Sequence, residues 1–134
     1  MAGSKSDVYE VDVLKATTGQ ATTILSTTPI TPYIALFTVA PSDSGAGTEV
    51  TGGSYARVSS AGKWATPSAG SVSTNAAVTF ATASASWGTV VAFAVMSASS
   101  GGSILMWGTL TTSKAVNNGD TAQFASGALT LTED

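Results

Sequence analysis

A chain of 134 residues fits one domain, large enough to bury roughly two-thirds of the surface its unfolded form exposes and so to fold without staples. It contains no Cys and no His, which removes thiolate and imidazole metal sites, Cys nucleophiles, the Ser-His-Asp arrangement and any general base titrating unperturbed near neutrality. Charged residues are only 10% of the chain at a net charge of −3, so the clustered Lys and Arg that nucleic acid requires are missing, and solubility falls to Ser, Thr and backbone.

Residues 1–32 read as an N-terminal arm. In "SKSDVYEVDVLKATT" (4–18), Val8, Val11 and Leu14 fall at helical spacing, Asp7 is placed to cap with Glu10 three residues on, and Gly19 can stop the helix. A strand competes, because Tyr9, Val11 and Val13 alternate with Glu10 and Asp12, but the cap and stop signals favour the helix. In either form the apolar set Val8, Tyr9, Val11, Val13 and Leu14 needs a cover, and we assign it as the surface that grips a partner. "QATTILSTTPITP" (20–32) is Thr-rich, and Pro29 and Pro32 forbid a helix, so this stretch is extended. The start "MAGSKSD" lacks the apolar core of a signal peptide, and the longest apolar runs fall far short of the roughly 20 residues that cross a bilayer. The expectation is a soluble protein made in cytoplasm, without a membrane partner.

From residue 33 to 134 the pattern is β throughout. Strands are expected in "YIALFTV" (33–39), "SYARVSS" (54–60), "AVTFAT" (77–82), "TVVAFAVM" (89–96), "SILMWGTLTT" (103–112) and "AQFASGALTLT" (122–132), each bounded by Gly, Ser, Pro or Asn. "SASSGG" (97–102) reads as a hairpin turn and "NNGD" (117–120) as a tight turn tolerant of positive φ. Strands at this spacing without intervening helices imply an all-β fold, a single antiparallel β-sandwich or jelly-roll-like domain.

Candidates for chemistry are few. Asp43 and Glu49 share a loop with Ser42, Ser44 and Thr48, but their spacing matches no calcium motif, and Gly45 and Gly47 bring flexibility rather than ligands. That loop is expected to be a solvated strand connection. Two-carboxylate glycoside hydrolysis is the mechanism open to a chain without His or Cys, yet no carboxylate lies in a strongly apolar strand where burial would raise its pKa. "GK" at 62–63 lacks the upstream Gly of a phosphate loop. No catalytic residue, cofactor or metal ligand is assigned. Trp87 and Trp107, beside and within apolar strands, are expected in the core; Trp64, in the looser "AGKWATPSAG", is the candidate exposed aromatic for stacking on a sugar.

The window "YIALFTVAPSDSGAGTEVTGGSYARV", with "SWGTVVAFAVMSASSGGSILMWGTLTTSKAVNNGDTAQFASGALTLT" (86–132), resembles a group of small tailed-bacteriophage virion proteins of the capsid-decoration or tail-fibre-like kind. The likeness covers about residues 33–132 and leaves out the N-terminal segment, where such proteins often carry a Leu-rich amphipathic helix. It implies a framework loop in which Arg57 pairs with Asp43 or Glu49, and it brings no activity. The expected role is a capsid decoration (cement) protein on the virion surface, a homotrimer that binds major capsid subunits and stabilises the shell. The alternative is a tail or tail-fibre component, a receptor or carbohydrate-binding module.

Overall fold

The computed structural model describes residues 7–22, 29–42 and 46–133, with side chains from Glu10 onward. Helix α1 spans Asp7–Thr17, and the strands are β1 Tyr33–Val39, β2 Thr48–Glu49, β3 Val58–Ser59, β4 Ser71–Ser73, β5 Val78–Thr79, β6 Gly88–Met96, β7 Ile104–Val116, β8 Gln123–Phe124 and β9 Thr130–Thr132. All pairing is antiparallel: a main sheet runs β2-β1-β6-β7 with β3 also on β1, and β4–β9 and β5–β8 form two short ladders. This is the expected all-β domain with a short N-terminal helix.

The helix forms, the favoured of the two readings, and it stops where the sequence says. Gly19 is left-handed at φ +73°, the Gln20 N–H donates to Lys15 O at 2.8 Å and the Gly19 N–H to Ala16 O at 3.4 Å, the paired bonds that close a helix on a glycine. A Cβ there would stand 2.5 Å from Ile30 O, so no other residue fits. Leu14 is not available to a partner as expected: it is fully buried in the main core, which places the helix against the β-domain. Val11 and Val13 are half-buried, while the side chains of Asp7, Val8 and Tyr9 lie outside those described.

Strands β1 and β6 are central and apolar on both faces, as strands covered twice must be. Ile34, Leu36, Val90, Phe93 and Val95 face the main core with the two ladders, whereas Ala35, Phe37, Ala92, Ala94 and Met96 make a second cluster on the opposite face. The β6–β7 hairpin closes around residues 97–103, with the Ser97 N–H donating to Ser103 O at 3.0 Å, and residues 117–120 turn as expected with Gly119 at φ +91°. Other expected strands are cut short. The segment 122–132 breaks into β8 and β9 because residues 125–128 turn, the Ala128 N–H reaching back to Ala125 O at 3.0 Å.

The tryptophans exchange places. Trp64 is only 5% exposed: its segment, loose to the eye, is tied by the Ala65 N–H to Ser73 O at 2.9 Å and the Asn75 N–H to Lys63 O at 2.8 Å, which turns the indole into the main core. Trp107 is 37% exposed because β7 is the last strand of the sheet and Ala94, directly opposite on β6, is too small to cover it. Trp87 is buried as expected, in an aromatic group with Tyr55 and Phe80.

Candidate functional site

The loop after β1 leads into β2, whose Glu49 pairs opposite Phe37, and the chain then reverses through Gly52, Gly53 and Ser54, all at positive φ. The turn sends Tyr55 into the core, where its ring packs edge-on to Trp87 at 5.4 Å, and brings Arg57 back alongside Glu49. The Trp87 indole N–H donates to Gly53 O at 2.9 Å and pins the turn.

Arg57 grips with four donors. Its Nε and Nη2 each donate at 2.8 Å to Glu49, on Oε1 and Oε2, in the forked geometry that guanidinium and carboxylate share. Its Nη1 donates to Ala98 O at 2.8 Å and Gly101 O at 2.7 Å, fastening the β6–β7 hairpin loop to β2. The Tyr55 hydroxyl donates to Glu49 Oε1 at 2.9 Å and accepts the Leu36 N–H at 3.0 Å, joining the clamp to β1.

The Arg57 hydrogen bond, aided by the Tyr55 hydroxyl and opposed by burial, holds the Glu49 carboxyl below the usual range. Glu49 in turn raises the Arg57 guanidinium, and burial foremost pushes the Tyr55 hydroxyl far above its ordinary value. A carboxylate held ionised this way cannot serve as the protonated acid that a two-carboxylate glycosidase needs. Glu49 is therefore more than the solvated loop charge expected of it, because Arg57 lies eight residues on and folds back over it. Of the two pairings implied for Arg57, the one with Glu49 forms; Asp43 and Gly45 lie outside the described residues. Among the described residues no three carboxylates gather into a metal-binding group.

Beside the clamp lies a concavity of about 730 Å³ between β2 and the β6–β7 hairpin. Phe37, Met96 and Ile104 line it from the sheet, Glu49 and Arg57 form one wall, and Leu105 and Trp107, 38% and 37% exposed, stand on another. A second groove of about 490 Å³ runs between β7 and residues 121–124, lined by Leu110, Lys114 and Phe124.

Of the residues assigned to partner binding, Val11 and Val13 keep some exposure and Leu14 does not, and these three line neither concavity; the side chains of Val8 and Tyr9 lie outside those described. Trp64 lines neither as well. Sequence reasoning missed Trp107 as a surface residue, although Thr109, two positions on in β7, marked that face as solvated.

Over residues 4–132 the sequence matches the family described as Podophage GP4 fiber I protein gp80. The chain belongs to this family. It is thereby a member of a family of phage virion structural proteins, in line with the resemblance borne by its loop and hairpin motifs. Comparison with curated proteins gives no match.

Proposed function

We propose that the protein is a non-enzymatic structural component of a phage tail fibre, the alternative of the two roles expected from sequence. The family match, which runs nearly end to end and whose description names a fibre, is the observation that carries this reading. The geometry fits it: the polar cluster around Arg57 is an ion pair spent on holding a hairpin to the sheet, and β7 offers thirteen residues of edge strand whose single charge is Lys114. An edge of that length with a single charge suits packing against another chain. A second copy of the protein is the partner proposed, with the homotrimer as the form. Neither the major capsid protein as partner nor the capsid surface as location gains a supporting observation. Quantified staining of purified particles tests the role: a copy number matching the fibres supports it, and one matching the shell subunits would overturn it.

A further inference from the structure

We propose that Asn118 is a deamidation site that the fold keeps latent: Gly119 N, the atom that must attack the Asn118 amide, is tied to Ala83 O, and opening of the turn at 117–120 releases the reaction. The chemistry belongs to the chain itself and does not depend on where in the particle the chain sits.

The sequence supplies the reactants. The chain has three asparagines, Asn75, Asn117 and Asn118, and Asn118 alone precedes a glycine. Without a Cβ, Gly119 leaves its backbone nitrogen open to approach, and it stands at φ +91° in an exposed turn that water reaches. No hydrogen bond fixes the Asn118 amide among the described residues, whereas Asn75 donates through Nδ2 to Trp64 O at 3.3 Å. The reaction forms a bond between Gly119 N and Asn118 Cγ and breaks the bond from Cγ to the side-chain nitrogen. The Gly119 N–H proton passes through solvent to that nitrogen, which leaves as ammonia, and a cyclic imide remains. Water then adds to one of its two carbonyls: attack at Cγ gives aspartate, and attack at the main-chain carbonyl gives isoaspartate. Water is the one co-reactant.

The fold opposes the first step. The Gly119 N–H donates to Ala83 O at 2.7 Å, so the nitrogen cannot give up its proton or turn toward Cγ while that bond holds. The turn around it is closed twice more, by the Asp120 N–H on Asn117 O at 3.0 Å and the Asn117 N–H on Asp120 Oδ2 at 2.8 Å. Ala83 is itself held, its N–H donating to Asp120 O at 2.8 Å, and the neighbouring hydroxyls of Thr82 and Thr121 pair at 2.7 Å. Asn118 therefore reacts from the opened turn, and its rate reads how often that end of the β5–β8 ladder frays. Conversion adds a negative charge two residues from Asp120, and the isoaspartate form also lengthens the main chain inside the closed turn.

The test is peptide-mapping mass spectrometry, reading the mass gain at each asparagine, on the full chain held at mildly alkaline pH in buffer and in guanidinium chloride. In denaturant Asn118 should convert well ahead of Asn75 and Asn117. In the folded chain it should convert at least about tenfold more slowly, since tenfold corresponds to ~1.4 kcal/mol of opening. Asp120→Ala removes the side-chain acceptor of the Asn117 N–H and should speed Asn118 in the folded chain by roughly fivefold, the worth of one hydrogen bond, with Asn75 unchanged. Equal rates in the folded and denatured chain would overturn the guard, and so would an Asp120→Ala chain that converts no faster than wild type. A gain that Asn75 shares would mean global unfolding rather than opening of the turn and would sink the local guard too. Conversion confined to Asn75 or Asn117, or none in denaturant, would remove Asn118 as the site.

Discussion

Replacing Arg57 by Ala removes the clamp at its centre. The change strands the Glu49 carboxylate and leaves Ala98 O and Gly101 O without their donor. Breaking a fully buried ion pair costs about 3–5 kcal/mol, and an exposed one about 0–1 kcal/mol. Side-chain exposures of 9% and 25% set this pair between those limits, and the hairpin carbonyls can rehydrate. The expected loss is therefore about 2–3 kcal/mol, which lowers the melting temperature of a domain this size by roughly 7–11 °C. The assay is denaturant unfolding of wild type, Arg57→Ala, Glu49→Gln and the double variant. The single losses should exceed the double by about 1–2 kcal/mol of coupling. Because the folded-state pKa of Glu49 is lowered, the pair's contribution is fully present above the carboxyl's ordinary 4.5 and is lost as pH falls through the folded value. The gap between wild type and Arg57→Ala should accordingly close in acid. A loss under about 0.5 kcal/mol, additive singles, or a gap that does not change with pH would refute the clamp as a stabilising element.

Three further outcomes follow from the packing. Leu14→Ala should cost about 2–4 kcal/mol by denaturant unfolding, because the side chain is fully buried in the main core; a loss under about 0.5 kcal/mol would free the helix from that core. Trp64→Ala should destabilise by about 3–5 kcal/mol and Trp107→Ala by under about 1 kcal/mol, and the reverse order would contradict the exchange of their places. Gly108→Ala should lower stability by about 1–3 kcal/mol, since its Cβ would come 3.0 Å from Phe93 Cε1, and an unchanged melting curve would show that the ring can move aside.

Much of the architecture was legible because it rests on local patterns. Strands β1 and β6 are continuous apolar runs, the form a strand takes when both faces are covered, and the glycines at 19 and 119 punctuate the chain where only a left-handed residue serves. The clamp was legible only as a pairing implied by resemblance. Its further contacts are long-range, the hairpin carbonyls lying 41 and 44 residues from Arg57, and no local signal foretells them. Trp107 misled because the sequence leaves its face undecided. Strand β7 carries Ile104, Leu105, Met106 and Trp107 in succession, so alternation could not say which face the sheet buries, and its position at the sheet edge is a fact of topology. Leu14 likewise marks a stripe in the sequence without saying whether the chain's own body or another protein covers it.

The central claim is that this chain is built into the phage tail fibre, and cryo-electron microscopy of intact virions tests it most directly. The account expects density matching the β2-β1-β6-β7 sheet, with its clamped hairpin, within the tail fibres. The same density repeated over the capsid shell, or absent from the particle, would contradict it.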